Sequence, residues 1–165
     1  MHRLYVAQRL MTVREKFDVQ DERGTPVYYI EGSLFKIPKQ FWIRDLEGRD
    51  RARVWKEPLS LMPRFTLEVD GVRVAVIRQK VSLMRKRFEI EGPGLTVRGN
   101  WWDMSFELLR NGVPVGRVDK KWMTIRDRYT IEIDDPASEV LMLAVVLSVD
   151  YVKRIEASTA AATSS

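Results

Sequence analysis

The chain contains no cysteine and a single histidine, His2, in 165 residues. The first absence removes structural disulfides, thiol catalysis, Fe–S clusters and every cysteine-based zinc site, while leaving the redox compartment open. The second removes most imidazole chemistry, because the only ring sits at the start of the chain, where fraying is expected. Long apolar runs are missing as well. The strongest, Val140–Val149, has ten residues, against about 20 for a helix that crosses a membrane. It reads as a buried helix, and no transmembrane segment is expected. The opening stretch is interrupted by Arg3, Gln8, Arg9 and Arg14, so it lacks the continuous apolar region of a signal peptide and points to the cytoplasm.

What is present suffices for one folded domain with a real core: 45% hydrophobic and 31% charged residues, at a length typical of single domains. Lys and Arg number 28 against 23 Asp and Glu, a net charge of +5. That balance favours anionic partners without requiring one. The basic residues are interleaved with acids and form no long stripe, which argues against nucleic acid as a partner.

The chain repeats. An aromatic residue opens an alternating segment at Phe17, Phe41, Phe65, Phe88, Phe106 and Tyr129, with spacings of 24, 24, 23, 18 and 23 residues. A second phrase leads into several copies: Leu10-Met-Thr-Val-Arg-Glu-Lys-Phe17, Leu59-Ser-Leu-Met-Pro-Arg-Phe65, Val81-Ser-Leu-Met-Arg-Lys-Arg-Phe88 and Trp122-Met-Thr-Ile-Arg-Asp-Arg-Tyr129. Within a unit the period is two, the mark of a strand with one buried face. Asp70-Gly71 supplies a two-residue type I′ turn. Centring a hairpin there pairs Val69 with Val72, Glu68 with Arg73, Leu67 with Val74 and Phe65 with Val76. Asn111-Gly112, Glu22-Arg-Gly24, Glu47-Gly48 and Gly92-Pro-Gly94 punctuate the other units in the same way.

Six such units give twelve antiparallel strands, and a sheet that long must curl or close. The fold class expected is therefore mainly β, a closed twelve-stranded antiparallel barrel of consecutive hairpins. Side chains alone fill a barrel of about eight strands, so twelve leave a hollow. The C-terminal segment fills it: Asp135 is placed to cap a helix, Pro136 suits its first turn, and Leu141–Val149 is apolar around nearly the whole circumference. The helix is expected over 136–153, within a domain spanning 1–155, and residues 156–165 as a disordered tail. The inward set expected from even spacing is Phe17, Val19, Ile43, Val54, Phe65, Leu67, Val74, Val76, Phe88, Ile90, Phe106, Tyr129, Ile131 and Ile133.

Motifs that carry chemistry are scarce. Gly92-Pro-Gly94 lacks the Gly-Lys-Ser/Thr ending of a phosphate loop and reads as a turn. Asp134-Asp135 has no calcium-loop context and is explained by helix capping. No nucleophile–base pair and no pair of carboxylates stands out, so no enzyme activity, no catalytic residue, no metal and no cofactor are expected. One hairpin carries tension. A two-residue turn at Gly48-Arg49 pairs Ile43 with Val54 and sets Trp42 opposite Trp55 and Arg44 opposite Arg53 on the outer face, with Arg51 beside them. Opposed like charges destabilise a sheet. Trp42, Arg44, Arg51, Arg53 and Trp55 thus form the candidate ligand-binding site, suited to an anionic ligand or an acidic protein surface, or to ordinary stacking of Arg on Trp. Arg85, Lys86 and Arg87 form a secondary basic cluster, and Lys120-Lys121 a further one.

The order of several phrases along the chain resembles the LURP-one-related family: Tyr5-Val-Ala-Gln-Arg9, Phe17-Asp-Val-Gln-Asp21 with Gly24 and Val27–Gly32, the Phe41–Lys56 hairpin, Val118-Asp-Lys-Lys-Trp122, Asp127-Arg-Tyr129, and Leu143-Ala-Val-Val146 with Asp150. The resemblance covers roughly Leu4 to Val152. It implies the tubby-like fold, a twelve-stranded barrel around a hydrophobic C-terminal helix. The related tubby and phospholipid scramblase families imply roles at membranes or in signalling, tubby through phosphoinositide binding. No stretch of this chain carries over a lipid-site residue one by one. The function expected is a non-catalytic binding or scaffold module, a cytoplasmic monomer that can sit peripherally at a membrane and recognises anionic lipid headgroups or acidic partners. The alternative is a scramblase-like protein that handles phospholipid.

Overall fold

A computed structural model describes residues 1–7, 16–33, 40–80, 87–121 and 128–163. The first four strands are β1 (His2–Ala7), β2 (Lys16–Gln20), β3 (Pro26–Ser33) and β4 (Gln40–Asp45). They are followed by β5 (Asp50–Lys56), β6 (Arg64–Val69), β7 (Val72–Lys80) and β8 (Arg87–Glu91). The last four are β9 (Leu95–Asn100), β10 (Ser105–Arg110), β11 (Val113–Lys121) and β12 (Arg128–Ile133). A 3₁₀ turn, Pro136–Ser138, then leads into α1 (Glu139–Thr163).

All twelve strands form one sheet in the order β8-β7-β6-β5-β4-β3-β2-β1-β12-β11-β10-β9. The first and last strands are hydrogen-bonded to each other along their lengths, from His2 opposite Ile133 to Ala7 opposite Arg128. This is a nearly closed antiparallel barrel. It is the fold expected from the sequence, and among the described residues no ladder joins β8 to β9. The turn joining them is held by its neighbours instead: the Asn111 N–H donates to the Gly94 carbonyl at 2.7 Å, and Gly92 lies so near the Val74 carbonyl that a Cβ there would sit 2.3 Å from it.

Ten consecutive helix residues, Val140–Val149, are buried. They cover every side of a helix of 3.6 residues per turn, so α1 is enclosed by the strands. The Asp135 carboxylate accepts from the Ala137 N–H at 3.0 Å and from the Ser138 hydroxyl at 2.6 Å, with Pro136 in the first turn. Ser148, buried in mid-helix, donates to the Ala144 carbonyl one turn back. The helix continues past 153 over residues that the sequence reading assigns to a disordered tail. Its alanines are the best helix formers, and the Ser158, Thr159 and Thr163 hydroxyls bond carbonyls of the preceding turn. No helix among the described residues is long and apolar enough to cross a membrane.

Two corrections to the expected core follow from β-bulges. In the β6–β7 hairpin, Val69–Val72 and Glu68–Arg73 pair as expected, but the next partner of Leu67 is Ala75 and that of Phe65 is Ile77. Val74 is the extra residue. Inserting it turns Ala75 and Ile77 inward, both buried, and leaves Val74 and Val76 only half-buried. Similar register shifts leave Val27, Arg51 and Val115 as the extra residues of three other hairpins, each shortly after the turn. Val19, Ile43, Val54, Phe65, Leu67, Phe106, Tyr129, Ile131 and Ile133 are buried as expected, and Ile90 packs against the core half-buried. The side chains of Phe17 and Phe88 lie outside the described residues.

The two ends of the barrel differ. One end carries the compact turns 21–25, 45–49, 70–71, 92–94 and 111–112 and the start of α1. The other carries the connections 57–63 and 101–104 and the end of α1. At this second end the terminal residues of seven strands are basic and none is acidic: Lys16, Lys56, Arg64, Lys80, Arg87, Lys121 and Arg128. The opposite end has an excess of acids, with Asp21, Glu22, Asp45, Glu47, Asp50 and Asp70 against Arg23, Arg49 and Arg51 in or beside its turns.

Candidate functional site

The candidate face lies on β4 and β5, where period-two alternation buries Phe41, Ile43, Ala52 and Val54 and sends Trp42, Arg44, Arg53 and Trp55 outward. The turn between these strands is not the expected two-residue turn at Gly48-Arg49. The Asp45 carboxylate accepts from the backbone N–H of Glu47 and of Arg49, both at 3.0 Å, and the Gly48 N–H donates to the Asp45 carbonyl. The loop therefore spans 46–49, and Arg51 is bulged out after it. Asp21 makes the same pair of bonds to Arg23 and Thr25 in the first hairpin.

That turn and the bulge after it shift the register by two residues, and by three at Arg44. Trp42 faces Arg53, Gln40 faces Trp55, Phe41 faces Val54 and Arg44 faces Asp50. The expected oppositions of Arg44 to Arg53, Trp42 to Trp55 and Ile43 to Val54 are corrected accordingly, and with them the idea that the two arginines repel each other. Arg44 bonds Glu31 of β3 and Asp50, each at 2.7 Å. The Asp50 hydrogen bond raises the already high Arg44 pKa further. Arg51 makes a two-point contact with Asp70, at 2.8 and 3.3 Å, which raises its pKa in the same way.

Arg53 is different. It donates twice to the neutral amide oxygen of Gln40, at 3.2 and 2.7 Å, and forms no ion pair among the described residues. Its guanidinium carbon lies 4.8 Å from the Trp55 ring centroid and 5.9 Å from that of Trp42. Arg44 lies 5.8 Å from Trp42 on the same face. Two indole planes thus hold one charged fork with N–H groups still free to donate. Next to it is a shallow pocket of about 190 Å³ lined by Trp42, Asp50, Arg51, Arg53, Glu68 and Asp70. Of the secondary cluster, Arg85 and Lys86 lie outside the described residues, and Arg87 opens β8.

Sequence reasoning missed two polar centres. On the outer wall, Glu132 accepts from both Arg3 and Arg117 at the edge of a groove of about 510 Å³ across β10, β11, β12 and β1. Those two guanidiniums hold the Glu132 carboxyl below the usual carboxylate range. At the start of α1, Glu139 accepts from the Tyr28 hydroxyl at 2.6 Å and bonds the His2 ring. Burial, reinforced by Glu139, pushes the Tyr28 hydroxyl pKa up. His2, expected to fray, is paired into β1. Strand register brings Glu132 to its partners and the seating of α1 brings Glu139 to its own, and a single sequence displays neither.

Comparison with known proteins bears on the fold and the family. A family model described as LURP-one-related matches residues 2–150. The Bacillus subtilis (strain 168) protein YxjI is 23% identical over 152 residues, covering 92% of this chain and 94% of its own. The X-ray structure of an Arabidopsis thaliana protein superposes with a TM-score of 0.55 at 12% identity, covering 92% of this chain and 91% of the other. That structural likeness is one of fold, the tubby-like barrel with its C-terminal helix.

Proposed function

The chain belongs to the LURP-one-related family, and from that premise we propose that it is a non-catalytic binding module whose outer β4–β5 face takes an acidic group, a phosphate or carboxylate, of a partner. Arg53 carries the reading. Arg44 and Arg51 already hold carboxylates, whereas Arg53 has a neutral partner, two indole walls and spare donors. An incoming anion would gain a charge-assisted hydrogen bond beside aromatic surfaces that exclude water. Packing also favours surface recognition, because the space where larger barrels hold ligands is taken by α1. The scramblase-like alternative would insert a helix that the strands enclose. The reading includes a monomer acting in the cytoplasm.

Titration calorimetry with an inositol phosphate and with a glutamate-rich peptide tests this. Either the phosphate or the carboxylate ligand should bind at low salt and weaken as salt rises. Arg53→Gln should weaken binding about tenfold or more, as loss of a hydrogen bond to a charged group does, with an unchanged melting temperature. A parent protein that binds neither ligand, or an Arg53→Gln protein that binds as the parent does, defeats the reading.

A further inference from the structure

The basic end of the barrel also carries exposed apolar side chains. In the connection between β5 and β6, Leu59 is 96% exposed, Leu61 is fully exposed at 104% and Met62 is 40% exposed. Solvated leucines scattered singly need no explanation, but two in three residues at the tip of one connection form a projecting apolar point. Basic residues flank it: Lys56 closes β5 and forms no ion pair among the described residues, and Arg64 opens β6 beside Glu57. At the same end Trp102 is 36% exposed, and the Lys153 ammonium donates to its carbonyl at 2.7 Å and lies 5.8 Å from its ring centroid. Tryptophan beside lysine is the pairing found where protein meets the headgroup region of a bilayer.

We propose that this end of the barrel docks on an anionic lipid surface, with Leu59, Leu61 and Met62 entering the headgroup region. Charge complementarity selects this occupant. The basic residues stand at the ends of seven different strands, with Arg64 beside Glu57 and Lys80 beside Glu89, and a spread of that kind suits a fluid surface of many mobile anions better than one fixed partner group. The acidic residues of the opposite end are repelled by the same surface, so the field orients the barrel with its axis upright. The inference concerns a different surface from the Arg53 face and stands or falls separately from it.

Because the chain has no cysteine, single reporters can be placed cleanly. Leu61→Cys and, at the opposite end, Val113→Cys (63% exposed) are each labelled with a polarity-sensitive fluorophore. Each is mixed with phosphatidylcholine vesicles with or without phosphatidylserine. The expected result is a blue shift for the label at 61 alone, with the phosphatidylserine vesicles alone, reversed by high salt. In co-sedimentation, a Leu59→Ser, Leu61→Ser protein should lose most of its vesicle binding while melting as the parent does. Absence of any shift, an equal shift at both ends or an equal shift with neutral vesicles overturns the proposal. So does a shift without vesicles that grows with protein concentration, which would mean the basic end meets the acidic end of a second copy.

Discussion

The Tyr129 hydroxyl donates to Asp150 at 2.5 Å, and the other oxygen of that carboxylate accepts from Arg154 at 2.7 Å. Strand β12 is thereby tied to the middle of the helix it precedes in sequence. Tyr129→Phe keeps the ring in its buried place and removes the hydrogen bond. The expected loss is about 1 kcal/mol by chemical denaturation, and Asp150→Asn should cost more, because it also removes the ion pair with Arg154.

The enclosed helix makes the interior intolerant of charge. Leu143 is fully buried, so Leu143→Asp places a carboxylate where neither water nor a partner reaches it. The cost is several kcal/mol, comparable to the whole stability of a typical domain. Circular dichroism should show loss of the cooperative melt, and Leu147→Asp should behave alike.

Two glycines separate backbone strain from steric collision. Gly71 has φ +78° with open space around it, so Gly71→Ala should cost only about 1 kcal/mol, for the unfavourable backbone conformation. At Gly116 an added Cβ would sit 2.6 Å from the Glu132 carbonyl oxygen and 3.1 Å from Met142. Gly116→Ala must push β12 and the helix apart and should be clearly the more damaging when the two melts are compared.

Acid should weaken the fold through Glu132. The hydrogen bonds from Arg117 and Arg3 depress its folded-state pKa below the unfolded value. Its contribution is present at neutral pH and is lost as pH falls through the carboxylate range, where the unfolded chain takes up the proton more readily. Melting temperatures measured downward from neutral pH should show this decline, with a shallower slope in Glu132→Gln.

On the candidate face, a double-mutant cycle between Arg53 and Trp55 should return a coupling of about 0.5–1 kcal/mol, the value for stacking of a cation on an indole at a partly exposed site. A coupling near zero would mean that the stack only keeps the two side chains out of the way.

Particular residues show how far the sequence can be read. Asp70-Gly71 announces its turn, and both residues have the positive φ that a type I′ turn needs. Further along β7, Val74-Ala75-Val76-Ile77 is apolar at every position, so alternation cannot say which two face inward, and the bulge at Val74 decides it. The second hairpin misleads for another reason. Asp45 binds its own turn as Asp21 does, and the Asp-x-x-Gly-x spacing shared by 21–25 and 45–49 is visible in the sequence. Aligning the two turns would have placed the loop correctly and put Asp50 opposite Arg44. The other carboxylates at the site arrive from elsewhere: Glu31 stands on β3 and Asp70 in the turn after β6. Their positions are set by register across strands, which depends on packing of the whole barrel.

The seam between β8 and β9 has a consequence for how the protein is made. Because the two free edges are neighbours in sequence, the ladder that joins β1 to β12 unites the beginning and near-end of the chain in the middle of the sheet. A nascent chain that has emerged only as far as β11 has β1 unpaired on one side and no helix to fill the hollow. Pairings this distant in sequence are the slow ones, and here they wait for the last strand and helix to leave the ribosome. Strand β12 and α1 must therefore emerge before folding can finish, and a growing chain would expose the β1 edge and apolar interior faces to chaperones until α1 arrives.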